Sequence, residues 1–163
     1  MAYQKLQVSN GLDVIPSDSV RIPNPDTLVT SGTDGDASVG GTFSSAGSTF
    51  ITDRVRAGAI IYATTKAYYV LSVDSETSLT VSTADGTIAG ATTVFQIYNE
   101  ATPGCILFAG VAGDMGIQLA QQNGNANTTE LTFKGIAAGA FLPTQAIRVD
   151  ATKTTATDII ALW

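Results

Sequence analysis

Apolar and polar residues alternate in short runs along most of the chain, and turn residues separate the runs. In residues 67–74, for example, Tyr69, Leu71 and Val73 fall at every second position. Alternation with a period of two is typical of a half-buried β-strand. After a polar turn the pattern returns with Leu79 and Val81, which predicts a β-hairpin. Such runs recur about every 8 to 12 residues, a spacing that favours small β-barrels and β-sandwiches.

The composition favours the same fold class. Threonine is the most frequent residue, with 23 copies among 163, whereas Lys, Arg and Glu together number 11. β-Branched side chains fit a pleated sheet and lose side-chain freedom in helices. Hydrophobic residues make up 44% of the chain and charged residues 13%, which excludes general disorder. We therefore expect an all-β protein.

Three parts are predicted along the chain. Residues 1–36 contain Pro16, Pro23 and Pro25 and are expected to form an extended N-terminal arm, because proline favours extended backbone. Residues 37–100 are expected to form a small β-barrel or β-sandwich module. Pro103 and Gly104 interrupt the pattern, and residues 101–163 are expected to form a C-terminal antiparallel β-sandwich. Within this last module, residues 121–129 predict an exposed loop, and the apolar residues 159–163 predict a buried final strand.

The predicted arm needs a surface on which to pack, either on its own domain or on a neighbouring subunit. Its short apolar stretch at residues 20–22 is followed by Pro23. If the arm lies along a neighbouring subunit in a homo-oligomeric assembly, we expect its contacts at Val20, Arg21, Ile22 and Pro23.

Missing residue types exclude several kinds of chemistry. The chain has no histidine, which excludes a Ser-His-Asp triad and a histidine-ligated zinc ion. Its single cysteine, Cys105, lies in an apolar run and is expected to be a buried hydrophobic residue. Asp34 and Asp36 are spaced like two calcium ligands, but the rest of an EF-hand loop is missing. We predict no catalytic residues, no metal site, no cofactor and no enzymatic activity.

Charge and hydropathy argue against two kinds of partner. The net charge is −6, and the eight Lys and Arg residues are scattered, so no nucleic-acid-binding surface is expected. No apolar run approaches the roughly 20 residues of a membrane-spanning helix, and the first residues do not form a secretory signal. The sequence therefore predicts neither a nucleic acid nor a membrane as partner.

Several segments resemble tailed-phage virion proteins. One recurring module is matched by Gly-Cys-Ile-Leu-Phe-Ala-Gly at residues 104–110, Gly-Asp at 113–114, Gly-Ala-Phe-Leu-Pro at 139–143 and the ending at 151–163. Phe133 and the pair Arg148-Val149 also belong to it. Arg-Ile-Pro-Asn-Pro at 21–25 and the block 50–81 are similar to small cyanophage structural proteins. Lys153 and Ala59 depart from the pattern, where a turn glycine and an acidic residue are common.

The resemblance implies a structural role in a virion that is assembled in the host cytoplasm. The expected function is a capsid decoration, or cement, protein that contacts the major capsid protein or other virion proteins. Two alternatives stay open at this stage. One is a neck, tail or baseplate component, and the other is a carbohydrate-binding attachment module that would use Tyr62, Tyr68 and Tyr98.

Overall fold

The computed structural model describes residues 8–120 and 130–163. The predicted loop at residues 121–129 and the first seven residues of the predicted arm lie outside the described residues. The described chain is all-β and forms two modules, as the sequence predicts: a closed six-stranded barrel and a six-stranded sheet. A short 3₁₀ helix, Pro25–Thr27, precedes the barrel.

The barrel is antiparallel and closes in the order β2-β3-β6-β5-β4-β7. Its strands are β2 (Leu28–Ala37), β3 (Thr42–Ser44), β4 (Ile60–Ala63), β5 (Lys66–Val73), β6 (Ser78–Val81) and β7 (Ile88–Tyr98). The predicted hairpin is the β5–β6 pair. Tyr69 and Leu71 lie on its outer side, whereas Tyr68 and Val70 are buried inside. A register shift between Val70 and Ser72 breaks the alternation, so the predicted single face of odd-numbered residues is wrong.

Three phenylalanine rings fill the barrel. The ring centroids of Phe43 and Phe95 are 5.0 Å apart, and Phe50 lies 6.3 and 6.4 Å from them. Strand β2 passes next to these rings and has glycine where it does so. A Cβ on Gly32 would lie only 2.7 Å from the Phe95 ring. A Cβ on Gly35 would lie 2.9 Å from both Phe43 and Phe95. The absence of two side chains thus lets the strand approach the aromatic core closely.

The second module is one antiparallel sheet in the order β1-β12-β8-β11-β9-β10. Its strands are β1 (Gly11–Asp13), β8 (Cys105–Val111), β9 (Gly113–Leu119), β10 (Leu131–Ile136), β11 (Ala140–Asp150) and β12 (Thr157–Leu162). Strand β11 pairs with β8 through its first part and with β9 through its last part. The module is therefore one antiparallel sheet with one core, and it takes its edge strand β1 from outside the predicted residues 101–163.

Two expectations about this module are confirmed. The apolar end of the chain forms β12, which pairs with β8 on one side and β1 on the other. Cys105 is 4% exposed, and its thiol donates to the carbonyl of Ala146 at 3.2 Å. Burial raises the pKa of this thiol to about 12, which keeps it protonated and unreactive.

The predicted N-terminal arm is shorter than residues 1–36. Residues 28–36 belong to barrel strand β2, and residues 11–13 form an edge strand of the second sheet. Between them the chain runs between the two modules. Val14 and Ile22 join the core of the sheet, whereas Val20 packs against the outer wall of the barrel. Apolar side chains directed to both surfaces make this segment the connection between the modules, so it packs on its own chain, which is one of the two surfaces expected for it.

Candidate functional site

The residues predicted to contact a neighbouring subunit lie mostly inside the molecule. Val20 is 2% exposed, Ile22 is 1% exposed, and Pro23 is buried in a β-bridge with Ala101. Only Arg21 faces solvent, and its backbone N–H donates to the Tyr69 hydroxyl at 3.0 Å. The intramolecular packing of the other three residues leaves them no surface for a partner.

The three tyrosines considered for sugar binding are also buried. Tyr62, Tyr68 and Tyr98 are at most 6% exposed. The Tyr68 hydroxyl donates to the carbonyl of Gly86, and burial raises its pKa to about 12. The Tyr98 hydroxyl donates to Oε1 of Gln96. A sugar-stacking platform needs exposed ring faces, and these three rings do not provide one.

Carboxylates at one end of the barrel hold loops in place. Asp34 accepts hydrogen bonds from the Ser45 hydroxyl at 2.6 Å and the Gly47 N–H at 2.8 Å. Glu76 accepts from the backbone N–H groups of Ile51 and Thr52 and from the Thr52 hydroxyl. These hydrogen bonds, those from the Ser45 and Thr52 hydroxyls above all, lower the pKa of both carboxyls. Both groups therefore fasten the loop at residues 45–54.

Within residues 8–120 and 130–163, no three His, Cys, Asp or Glu side chains cluster so that they could hold a metal ion. The same residues include no helix with the length and hydrophobicity needed to cross a membrane.

An apolar row crosses the outer face of the second sheet. It consists of Phe141, Phe108 and Ile160, which lie in register on three adjacent strands. Asp13 of β1 continues the register at the edge of the sheet. The rings of Phe108 and Phe141 are 5.0 Å apart, and Phe141 is 61% exposed. The parallel row Ile106 and Leu162 is half-buried and lengthens the patch. Because the opposite side of the same strands forms the core of the module, the sheet is apolar on both faces.

A cleft of about 680 Å³ opens beside this row, between the sheet and the barrel. Its floor and walls come from β1 and the residues after it, from β4, β7 and β12. The lining residues on the sheet side are Gly11, Leu12, Asp13, Ile15 and Ile160, and those on the barrel side are Tyr62, Thr64, Val94, Phe95 and Gln96. Ile160 belongs to both the apolar row and the cleft, so the two features form one continuous surface.

Sequence reasoning missed this surface although a signal was present. Strand β8 reads Cys-Ile-Leu-Phe-Ala, with apolar residues at both odd and even positions. The odd residues Cys105 and Leu107 are buried, whereas Ile106 and Phe108 point to the opposite face. Apolar side chains on both faces of a strand are typical of a strand that is covered on both sides. Of the two faces of β8, the described part of the chain buries only the one with Cys105 and Leu107.

No protein-family model, no curated protein and no solved structure matches this chain.

Proposed function

We propose that this protein is a structural component of a bacteriophage virion, and specifically a capsid decoration protein that stabilises the head from outside. Its partners would be the major capsid protein or other virion proteins, with many copies in one particle. The observation that supports the proposal most directly is the apolar row of Phe141, Phe108 and Ile160 on the outer face of the second sheet. Contiguous exposed apolar surface is typical of a protein–protein contact.

The mechanism is thermodynamic. Burial of apolar surface contributes roughly 25 cal/mol per Å², so covering the row on an assembled shell stabilises the bound state. A protein that binds only the assembled shell shifts the equilibrium away from disassembly by mass action. The acidic chain, with a net charge of −6, suits the outer surface of a head better than a wall next to DNA.

The first test is quantitative mass spectrometry of purified particles of the phage that encodes this chain. We expect on the order of hundreds of copies per particle, in fixed ratio to the major capsid protein. A count of about 6 to 24 would instead support the alternative of a neck, tail or baseplate component. Absence of the chain from mature particles would overturn the structural role altogether.

The second test addresses the surface itself. Phe141→Ser removes the most exposed ring of the row, and Leu71→Ser is the matched control because Leu71 is 56% exposed on the barrel wall. We expect Phe141→Ser to lower occupancy on particles at least fivefold, with an unchanged far-UV circular dichroism spectrum. Leu71→Ser should leave occupancy unchanged. Equal occupancy of both variants would exclude the apolar row as the contact.

A further inference from the structure

Among residues 8–120 and 130–163, strand β1 is the edge of the second sheet and pairs with β12 alone. The register aligns Gly11 with Leu162 and Asp13 with Ile160. Asn10 and Val14, which flank β1, are hydrogen-bonded to the β12 side: Trp163 N–H donates to the Asn10 carbonyl, and Val14 N–H donates to the Ile159 carbonyl. In an antiparallel ladder every second residue is bonded to its partner strand.

This alternation directs the backbone groups of Gly11 and Asp13 away from β12. The Gly11 N–H already donates to the side-chain oxygen of Asn10. The Gly11 carbonyl and the N–H and carbonyl of Asp13 remain, and both residues are exposed. Such a row of outward-directed donors and acceptors is what a further β-strand pairs with.

The free edge opens into the cleft. All three residues of β1 line it, and the outer wall of the barrel at β4 and β7 stands opposite. Leu12, Ile15, Tyr62 and Ile160 supply apolar surface, and Val94 is 59% exposed on the opposite wall. A strand added to β1 would therefore place alternate side chains against apolar residues.

The charge of the cleft selects among possible occupants. Asp13 alone is charged among the described residues that line the cleft. Its carboxylate makes no ion pair and accepts no hydrogen bond within residues 8–120 and 130–163. The negative charge of the cleft matches that of the whole chain, −6. A partner segment with a Lys or Arg opposite Asp13 complements it, whereas an acidic segment is repelled.

We propose that this cleft binds an extended peptide segment of a partner protein as an added β-strand on β1. The segment would pair with the outward backbone groups of Gly11 and Asp13, place apolar side chains against Leu12 and Ile15, and place a basic side chain near the Asp13 carboxylate. This contact shares Ile160 with the apolar row but is centred on the edge of β1, and it does not depend on the virion role.

The test is a selection of random heptapeptides from a display library against the full-length chain. We expect the enriched peptides to alternate apolar residues and to contain Lys or Arg. With the best peptide synthesised, its addition should shift the NMR amide signals of Gly11 and Asp13 and leave those of Phe108 and Phe141 in place.

Two variants and one control examine the contact. Asp13→Pro removes the outward N–H, and an edge strand tolerates proline where its N–H faces away from the sheet. We expect this variant to raise the dissociation constant of the best peptide more than tenfold. Asp13→Asn keeps the backbone N–H but removes the charge. It should raise the dissociation constant of the best peptide roughly three- to fivefold, as expected for an exposed ion pair. Asp158→Asn removes another exposed acid of the same sheet, outside the cleft lining, and should change nothing.

Several outcomes would overturn the proposal. One is a selection with no peptide enriched above background, and another is equal binding of the best peptide to Asp13→Pro and the unaltered chain. Amide shifts confined to Phe108 and Phe141 would place the peptide on the apolar row. A dimer in sedimentation velocity that Asp13→Pro abolishes would show that a second copy occupies the cleft.

Discussion

The two modules bury their β-sheets in different ways. The barrel uses one contiguous stretch of chain, Leu28 to Tyr98, and closes on itself so that no strand edge is left. The second sheet is open, with β1 and β10 at its edges, and it draws Val14 and Ile22 from the other end of the sequence. The barrel is complete in itself, whereas the sheet presents both an apolar face and a free edge.

This contrast places the candidate contacts on the open module. Because the barrel is closed, the backbone N–H and C=O groups of its strands pair with neighbouring strands. Its outer wall packs against the N-terminal segment. The sheet has the surfaces that a partner can use. Variants in each module test whether the two differ in this way.

Removal of an aromatic ring from the barrel should have the largest effect. Phe95→Ala leaves a cavity between Phe43 and Phe50 and should lower the free energy of unfolding by about 4 kcal/mol. Trp163 lies in the second module, where its indole N–H donates to the Thr102 hydroxyl, so its fluorescence reports on the sheet. We expect the denaturant transitions followed by fluorescence and by circular dichroism to shift together. A Trp163 transition that stays at its original midpoint would show that the modules unfold independently.

The N-terminal connection should have the next largest effect. Ile22→Ala removes a fully buried side chain from the core of the sheet and should lower the free energy of unfolding by about 3 kcal/mol. Arg21→Ala is the matched neighbour and should change it by less than about 0.5 kcal/mol, because its backbone hydrogen bond to Tyr69 is retained. Urea unfolding measures both. Similar values for the two variants would contradict the burial of residue 22.

Acid should weaken the barrel through its loop-fastening carboxylates. Hydrogen bonds from neutral groups lower the pKa of Asp34 and Glu76 below their ordinary values of 3.8 and 4.5. The stabilisation is complete above the ordinary values and is lost as the pH falls through the lower pKa of the folded state. We expect the thermal midpoint to fall in this acid range, and less steeply in Glu76→Gln.

Added salt distinguishes the acid sensitivity that comes from Asp34 and Glu76 from that of the ion pairs in the second sheet. There Glu130 pairs with Arg148 and with Lys153, and the hydrogen bond from Lys153 lowers the pKa of Glu130. Added salt should weaken these pairs and leave the neutral donors of Glu76 unaffected. An acid transition of the Glu76→Gln variant as steep as that of the unaltered chain would contradict the role assigned to Glu76.

The smallest expected effect on stability is at the apolar row. Phe141→Ser loses an exposed ring pair with Phe108 and should lower the free energy of unfolding by only about 0.5–1 kcal/mol. Thermal unfolding measures it. A loss as large as that of Ile22→Ala would mean that Phe141 serves the core of the sheet rather than a partner.

Alternation, turn residues and the β-rich composition were sufficient to predict the all-β class, the β5–β6 hairpin, the terminal strand and the buried Cys105. The division between arm and barrel could not be predicted, because β2 contains Gly32 and Gly35 where a strand usually has side chains. Those glycines are explained only by the rings of Phe43 and Phe95, which are distant in sequence.

The candidate surfaces were hidden from sequence reasoning for a related reason. Val20 and Phe108 are both apolar residues in short extended runs, and nothing local tells which of them the chain covers. The burial of Val20 depends on Ile60 and Tyr98, and the exposure of Phe141 depends on where β11 pairs with β8. Such distinctions arise from contacts between distant parts of the chain.

The filled interior of the barrel has a mechanical consequence. Phe43, Phe50 and Phe95 occupy its lumen, and Asp34 and Glu76 fasten the loop that inserts Phe50. Close-packed interiors compress very little and pass strain on to their neighbours. Ile60 and Tyr62 pack the wall of the barrel against Val20 of the N-terminal segment, so we expect a load on the wall to reach that segment. We therefore expect the filled barrel to resist compression more than a barrel with an empty interior would.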